Sequence, residues 1–346
     1  SDRGGKHMKC IRTEDAVGHV LCHDMTQIIP GVSKGPRFRK GHVVTEEDIL
    51  VLLSMGKENL FVWEMELGMV HENDAAERLA ALCGRENMTW SETKEGKIEL
   101  KSAIEGVFLV DSARLFAVNS IDELMIATRR GGGTVHPGDK LAGTRVIPLI
   151  IREEKLRQAE QAAGSAPLLS VRPFVRRTAA VITTGSEVAK GRITDSFTPV
   201  VERKLAAFGI RMTEHILVED GQENVLEAIE QMKRRPVDMI LCTGGMSVDP
   251  DDSTPGAIKA SGADIVTYGA PVLPGAMFLL GYYGDGRPVM GLPGCVMYAK
   301  ATIFDLVLPR IAADVRLEKR DFVAFGEGGL CLGCESCTYP HCGFGR

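Results

Sequence analysis

The feature that most constrains the fold is an alternation of apolar strands and amphipathic helices over residues 168–316. Three runs predict strands, and a helical pattern follows each of them: AAVITT (179–184), RMTEHILV (211–218) and DMILCT (238–243). Repeated strand–helix units of this kind build a mostly parallel sheet with helices on both faces. The sequence therefore predicts an α/β domain with a doubly wound, mostly parallel sheet.

Several ends of these elements can also be predicted. In TPVVERKLAAFG, Thr198 suits the N-cap, Pro199 the first helical position and Gly209 the C-terminal stop. MFLLGYYGDGRPVMGL predicts a hairpin with its turn at residues 284–286. A last helix is expected from about Val296 to Ala313.

The remaining chain is organised differently. Residues 8–152 predict a β-rich α+β module, because the runs VFLV, RLFAV and RVIPLII are β-like. Within this module, PRFRKG (36–41) predicts a basic surface loop. HENDAAERLAALCG predicts a short helix that ends at Gly84. Residues 153–167 predict a helical linker with a Gly-Ser-Ala-Pro break, and residues 317–346 a C-terminal tail.

Composition limits the classes of partner. A net charge of −5 does not favour nucleic acid or an anionic membrane as a partner. No apolar run approaches the roughly 20 residues of a membrane span, and the first residues lack the apolar core of a signal peptide. Nine cysteines in a long chain without a secretion signal indicate a reducing cytoplasm rather than a disulfide framework.

Three glycine loops follow apolar strands: TTGSE (183–187), TGGMS (243–247) and GLPGC (291–295). In an open parallel sheet, such loops leave the carboxyl edge, where ligands bind. Glycine lets the backbone approach an anion closely, and a following helix adds its positive N-terminal end. One such loop is more often a tight turn, but three at one edge favour a site for an anionic ligand.

Carboxylates and a hydroxyl cluster beside these loops. They are Glu187, Asp195, Ser196, Asp249, Asp251 and Asp252. The last three would repel a bare phosphate but not one that a divalent cation accompanies, and oxygen ligands suit Mg²⁺ bridging to phosphate. For Asp195, capping of the following helix is an equal alternative. The sequence thus predicts a phosphate-bearing ligand with Mg²⁺.

Four segments occur in the order TTGSEVAKGRITDS, VEDGQENV, CTGGMSVDPDD and GLPGCVMYAKATIFDLVLP. Over about residues 177–315 they resemble the molybdopterin-binding domain that molybdopterin molybdenumtransferases and gephyrin share. AVGHVLCHDM and RKGHVVTEEDILVLLSMGKENLFVW more loosely resemble the N-terminal part of those transferases. The resemblance implies a ligand that is molybdopterin or its adenylate, molybdate insertion with AMP release, divalent metal, and a homo-oligomer.

The resemblance also implies roles for individual residues. The implied cofactor-binding residues are Thr184, Gly185, Asp195, Ser196, Thr243, Gly244, Gly245, Ser247, Pro293 and Gly294. The predicted catalytic residues are Asp252, Asp249 and Glu187: the resemblance implies Asp252 and Glu187, and Asp249 is added as a carboxylate beside the second loop.

The chain departs from the family pattern where molybdate insertion is concerned. The family's Lys-Pro-Gly-Lys-Pro segment is replaced by LPGAM, so Leu273 and Ala276 stand in place of two lysines. A charge-assisted hydrogen bond from a lysine to an oxyanion is worth roughly 1.5–3 kcal/mol, and neither Leu273 nor Ala276 can make one. Asp249 replaces a glycine of the second loop, and Cys295 replaces an asparagine.

Three functions are compatible with these residues. A molybdenumtransferase would release AMP from adenylated molybdopterin. A non-catalytic molybdopterin carrier or sensor would bind the pterin without turnover. A nucleotide-binding regulator would bind ATP or AMP on the same loops without a pterin.

The tail contains four cysteines in the pattern C-x2-C-x2-C-x4-C, at Cys331, Cys334, Cys337 and Cys342. Thiolates at this spacing can converge on one metal centre. Zinc and an iron–sulfur cluster both fit the pattern. The pattern has four residues before its last cysteine, whereas the ferredoxin run has three and a proline after that cysteine. A disordered tail with idle thiols is the alternative, and the resemblance to the molybdopterin-binding domain does not account for this segment.

Overall fold

The computed structural model describes residues 8–29, 33–63, 68–247 and 253–346. The first part of the chain is rich in short strands: β1 (Met8–Arg12), β2 (Val20–Leu21), β3 (Met25–Ile29), β4 (Ser33–Phe38), β5 (Asn59–Trp63), β6 (Met69–His71), β7 (Met88–Trp90), β8 (Lys97–Ser102), β9 (Gly106–Val110), β10 (Leu124–Thr128), β11 (Thr134–Val135), β12 (Lys140–Val146), β13 (Ile150–Arg152) and β14 (Leu169–Arg172). Its helices are α1 (Glu46–Ser54), α2 (Glu72–Ala81), α3 (Ser112–Asn119) and α4 (Glu153–Ala163).

These strands pair antiparallel in small sheets, in the orders β1-β5-β2, β3-β4, β10-β12-β8-β7, β11-β9-β14 and β13-β6. The architecture confirms a β-rich α+β module before the α/β domain. Two predictions within it are wrong. RLFAV lies in helix α3, because the Asp111 side chain accepts a hydrogen bond from Arg114 N and starts a helix there. Pro36 to Phe38 of the expected basic loop belong to β4.

Helix α4 and strand β14 pack on the N-terminal module. Leu156, Ala159 and Ala163 of α4 are buried in the same apolar cluster as helix α2. Strand β14 pairs with β9 over Leu169–Val110 to Arg172–Val107. The segment between the two halves of the chain is therefore built into the first half.

The second part alternates strands and helices. Its strands are β15 (Thr178–Thr184), β16 (Arg211–Val218), β17 (Met239–Thr243), β18 (Asp264–Tyr268), β19 (Leu279–Tyr282) and β20 (Pro288–Leu292). Its helices are α5 (Ser186–Ala189), α6 (Thr198–Ala206), α7 (Gln222–Lys233), α8 (Thr254–Ala260), α9 (Ile303–Ala312) and α10 (Lys319–Val323). One sheet contains all six strands, in the order β16-β15-β17-β20-β19-β18. The first four strands pair parallel, and only β19 runs in the opposite direction, pairing antiparallel with both β20 and β18, which confirms a mostly parallel sheet.

The sheet is covered on both faces, as the fully buried run of strand β15 requires. In β15, Ala179 and Val181 pack into one core with α6 and α9. Ala180 and Ile182 point the other way, into a core with α7 and α8. Alternate residues of a strand face opposite sides of its sheet, so helices on both faces bury the whole strand.

Two helix boundaries differ from the expectation. Thr198 is the first residue of α6 and Phe197 is its N-cap, so Pro199 follows one position inside the helix. The expected last helix is split into a 3₁₀ turn, Gly294–Met297, and α9. Thr302 starts α9 because its hydroxyl accepts a hydrogen bond from Phe304 N, while Asp305 accepts one from Thr302 N. The hairpin between β19 and β20 is confirmed.

The C-terminal tail is packed against the α/β domain. Phe344 is 5% exposed and belongs to the core that contains α9. Leu330 forms a parallel bridge with Leu273, and Cys331 N donates a 2.8 Å hydrogen bond to Leu273 O. The structure therefore shows a packed tail, and the alternative of a disordered tail is wrong. Among the described residues, no helix is long and apolar enough to cross a membrane.

Candidate functional site

The three glycine loops lie side by side at one edge of the sheet. Strands β15, β17 and β20 are adjacent and parallel, with Thr183 opposite Thr243 and Thr243 opposite Leu292. Each strand ends at or next to these residues, so all three loops leave the same carboxyl edge. The predicted placement of the loops is confirmed, and it puts Thr184, Thr243 and Pro293 at neighbouring strand ends.

The first two loops approach each other closely through glycine. Gly244 has φ +87°, and a Cβ on it would lie less than 3.0 Å from Thr184 O. Gly245 has φ +63°, and a Cβ there would lie 2.5 Å from Thr254 Oγ1. The Thr254 hydroxyl donates a 2.9 Å hydrogen bond to Gly244 O. The TGG loop is therefore glycine-dependent both for its conformation and for its contact with the first loop.

The hydroxyl of Thr184 is the unusual atom at this edge. Thr184 is buried, and its Oγ1 has no hydrogen-bond partner within the described part of the chain. Buried polar atoms normally have a partner, so such an atom needs an explanation. The neighbouring Thr243 differs, since its hydroxyl donates to Thr183 Oγ1 at 3.4 Å. An unpartnered hydroxyl where two loops meet suits a bound ligand.

Asp195 organises the start of helix α6. It accepts hydrogen bonds from Phe197 N at 2.9 Å, from Thr198 N at 3.1 Å and from the Thr198 hydroxyl. His215 Nε2 lies 3.8 Å from Asp195 Oδ2 and 2.9 Å from Thr183 Oγ1. The capping role is therefore present, and the same carboxylate belongs to a polar network that reaches the end of β15.

The network lowers the pKa of Asp195. Burial raises the pKa, but the hydrogen bonds from Thr198 and Phe197 and the nearby His215 outweigh burial and bring it below its ordinary value. Asp195 is consequently a carboxylate held in place at neutral pH. Such a fixed acceptor positions the Thr198 hydroxyl and does not act as a proton donor.

Other candidate residues are more open. Glu187, Ser196 and Ser247 are exposed at the surface. Gly185 is the N-cap of α5, and Gly185 N donates to Val218 O at 3.1 Å. Asp249, Asp251 and Asp252 lie outside the described residues.

The third loop leaves free space. Pro293 is buried, Gly294 is exposed, and a Cβ on Gly294 would have no atom within 4 Å. Burial raises the pKa of the Cys295 thiol although the charge of Lys204 acts in the opposite direction. Lys204 itself pairs with Asp305 at 2.6 Å, which joins α6 to α9 below this loop.

Three residues of this edge were missed by sequence reasoning. His215 is a polar residue within a predicted strand, and Thr254 precedes a proline at a helix start, so both had a weak signal. Asp220 belongs to the VEDGQENV segment and accepts a 3.0 Å hydrogen bond from Ser186 N. It thereby ties the first loop to the end of β16.

The tail cysteines line one cavity. Cys331, Cys334, Cys337 and Cys342 all border a space of about 610 Å³. No group of three or more His, Cys, Asp or Glu side chains within residues 8–29, 33–63, 68–247 and 253–346 is placed to hold a metal ion. The four thiols thus surround a space without meeting at one point.

Sequence comparison matches two parts of the chain to known families. Residues 180–313 match the probable molybdopterin binding domain, and residues 10–64 match a domain of unknown function (DUF8806). Proteins named as competence-damage inducible from Bacillus cereus (strain AH187) and Bacillus anthracis (strain A0248) are 33% identical over 90 residues. That stretch is 26% of this chain, and the chain spans about a fifth (22%) of the length of these relatives.

Solved structures that are similar to part of the chain carry related names. CinA, a protein with unknown function from Thermoplasma acidophilum, has 18% identity and a TM-score of 0.34, covering 39% of this chain and 98% of its own. MoaB from Thermus thermophilus has 17% identity and a TM-score of 0.33, covering 41% and 98%. Mog from Mycobacterium ulcerans has 26% identity and a TM-score of 0.32, covering 39% and 91%. The α/β half of this chain is thus similar, over residues 180–313, to the probable molybdopterin binding domain.

Proposed function

We propose that the edge formed by the three glycine loops binds molybdopterin or adenylated molybdopterin during molybdenum cofactor biosynthesis. The observation that carries the proposal is the buried Thr184 hydroxyl, unpartnered among the described residues, at the point where the first two loops meet. A ligand oxygen at this edge would satisfy that hydroxyl. The family match over residues 180–313 supports the pterin as the ligand.

The residues present fit a ligand with a phosphate group. Gly294 leaves free space beside the third loop for a ligand, and Thr184 supplies an unpartnered hydroxyl where the first two loops meet. Thr243 lies at the neighbouring strand end, where its hydroxyl donates to Thr183 Oγ1. Asp195 keeps the Thr198 hydroxyl in place at the start of α6. In this proposal Ser196, Ser247, Gly185, Gly245 and Pro293 complete the cofactor-binding edge. Asp249, Asp251, Asp252 and Glu187 would hold Mg²⁺ beside the phosphate, where it would neutralise phosphate charge.

The segment without the family lysines bears on molybdate insertion. Leu273 is 57% exposed, and its backbone pairs with the tail through Leu273 N to Gly329 O at 2.8 Å. Neither Leu273 nor Ala276 has a cationic side chain that could hold an oxyanion. This favours a second candidate function, a molybdopterin carrier or sensor that does not insert molybdate and whose cysteine tail serves a separate purpose.

Single-turnover AMP release separates the two functions. Anaerobically purified full chain is mixed with adenylated molybdopterin, molybdate and Mg²⁺, and AMP is measured. Molybdate-dependent release that is abolished in Asp252→Ala would make the protein an insertase. Saturable binding without release would support a carrier or sensor. Absence of any pterin binding would contradict both.

Gly294→Ala tests the location of the site without disturbing the fold. The new methyl group meets no atom within 4 Å, so folding should be unchanged, but it occupies the edge at which the ligand is proposed to lie. We expect pterin affinity to fall by about tenfold or more, equivalent to ~1.4 kcal/mol. Gly284→Ala is the matched control, since its Cβ is equally free and lies in the hairpin turn before β20. Equal affinities of the two variants would place the ligand elsewhere.

A further inference from the structure

We propose that the C-terminal tail binds an iron–sulfur cluster, with Cys331, Cys334, Cys337 and Cys342 as its four thiolate ligands. All four cysteines border the same space of about 610 Å³, which we call the cysteine cavity. Four-iron clusters are held by four cysteine thiolates, and the spacing C-x2-C-x2-C, which Cys331, Cys334 and Cys337 share, is one that supplies several ligands to a cluster. The inference does not depend on which ligand the glycine loops bind.

The cysteine cavity has a firm wall that belongs to the folded domain. Apolar residues on that side are Ala301, Phe344 and Pro274, and Ala301 and Phe344 are buried in the core of the α/β domain. Of the four tail cysteines, Cys334 and Cys337 are exposed, and Cys331 and Cys342 are half-buried. The thiols around the space would supply the ligands of a cluster, and the apolar wall would shield one side of it from solvent. Solvent exposure is one of the factors that set the reduction potential of a cluster.

The tail is held in this arrangement at both ends by contacts that involve no metal. Cys331 N donates to Leu273 O at 2.8 Å, directly before the cysteine segment. After it, Phe344 is buried and Gly345 N donates to Gly328 O at 2.8 Å, which closes the segment into a loop. Within the loop, the Tyr339 hydroxyl donates to Asp305 O at 3.2 Å. The protein therefore orders the four thiols around the cavity before any cluster binds.

The size of the space favours a cluster over a single zinc ion. Zinc holds four sulfurs at about 2.3 Å from itself, so a zinc site draws its thiolates together at one point. Here the thiols line a cavity, and no three such side chains in the described ranges are placed to hold one ion. The irons and sulfides of a cluster fill the space between the thiolates. Lys300 also borders the cavity and supplies a cation beside a cluster whose thiolates are anionic.

The cysteine cavity lies near the glycine-loop edge along the chain. Its wall includes Ala299, Lys300 and Ala301, which follow the third loop and precede helix α9. A cluster in this position would therefore touch the segment that connects the third loop to α9. Cluster binding and pterin binding are nevertheless separate events, and they can be measured separately.

The test is reconstitution of the full chain under anaerobic conditions. Purified protein is incubated with ferrous iron, sulfide and a thiol reductant, desalted, and analysed for iron, acid-labile sulfide and zinc. We expect about four irons and four sulfides per chain and a broad visible absorption that dithionite bleaches. A colourless protein that takes up one zinc ion and no sulfide would overturn the proposal, and so would a protein that retains neither metal.

Variants identify the ligands. Cys334→Ala and Cys337→Ala change exposed side chains, so both proteins should fold. We expect the cluster content of each variant to be lower than that of the wild-type protein by about tenfold or more. Loss of a residue that only supports a metal ligand already lowers metal affinity by about tenfold or more, and these variants remove a ligand itself. Cys10→Ala is the matched control, since Cys10 is also exposed but lies outside the cysteine cavity. Full cluster content in the Cys334→Ala Cys337→Ala double variant would overturn the assignment.

Discussion

Gly244 lies so close to Thr184 that a Cβ on Gly244 would fall within 3.0 Å of the Thr184 carbonyl oxygen. The first and second glycine loops are thus in contact through backbone atoms, with φ +87° at Gly244. Gly244→Ala adds both a clash with backbone and an unfavourable left-handed conformation. We expect a loss of about 2–5 kcal/mol in the free energy of unfolding, from overpacking and backbone strain together, measured by urea denaturation.

Gly262→Ala separates the two causes. Gly262 has φ +88°, nearly the same as Gly244, but a Cβ there would have no atom within 4 Å. This variant should lose only about 1 kcal/mol, the cost of the left-handed conformation alone. If both variants lose the same free energy of unfolding, close contact between the loops is not what requires glycine at position 244.

Asp195 predicts a pH dependence of stability. Its pKa is lowered in the folded protein, so the unfolded chain binds the proton more readily. The stabilisation is fully present above the ordinary carboxyl pKa of about 3.9 and disappears as the pH falls through the lower folded value. The stability difference between the wild-type protein and Asp195→Asn should therefore be largest near neutral pH and narrow below about pH 4.

Urea midpoints measured from neutral to acidic pH check this prediction. Asp285→Asn is a useful control, because Asp285 also has a lowered pKa but lies in the exposed hairpin turn. Pterin affinity should fall in Asp195→Asn and stay unchanged in Asp285→Asn. A wild-type advantage over Asp195→Asn that persists undiminished at the acidic end would contradict the role of the ionised carboxylate.

The parallel part of the fold was predictable because each strand and helix has a local signal. The run AAVITT has no charged residue and is buried throughout, as fits a strand covered on both faces, and the structure places alternate apolar residues of it in two cores. Glycine loops after three such runs were enough to predict one shared edge. The strands and the glycine loops could be predicted because the residues that determine them are neighbours in the sequence.

Features set by long-range contacts were not predictable. RLFAV has β-forming residues, but the Asp111 cap and packing against α4 make it a helix. The partner of Asp195, His215, is brought to it by strand pairing and not by sequence spacing. The docking of the tail on α9 depends on Phe344, whose burial no local pattern indicates.

Phe344 should anchor the tail to the domain. It is 5% exposed and packs with Tyr339, whose ring centre is 6.2 Å away. Phe344→Ala would leave a cavity in this core, so we expect a loss of about 3–5 kcal/mol in the free energy of unfolding and faster proteolysis of the tail. Leu332→Ala is the control, because Leu332 is 82% exposed in the same tail and should change stability by less than about 0.5 kcal/mol.

A largely buried ion pair joins the helices beneath the third loop. Lys204 Nζ and Asp305 Oδ2 are 2.6 Å apart, and each side chain is 15% exposed. Lys204→Met leaves Asp305 without its cation but with the hydrogen bond from Thr302 N. Removing one member of a buried pair costs ~3–5 kcal/mol, and because that hydrogen bond remains we expect a loss at or somewhat below the lower end of this range.

The exposed pair Arg12–Glu14 is the matched control for this prediction. Its atoms are 2.7 Å apart, nearly as close as those of Lys204 and Asp305, but both side chains are mostly exposed. Arg12→Met should therefore change the free energy of unfolding by less than about 1 kcal/mol, as exposed pairs do. The contrast should persist at high salt, because a buried pair is screened much less than an exposed one. Equal small losses in the two variants would mean that Asp305 is adequately satisfied by the helix cap alone.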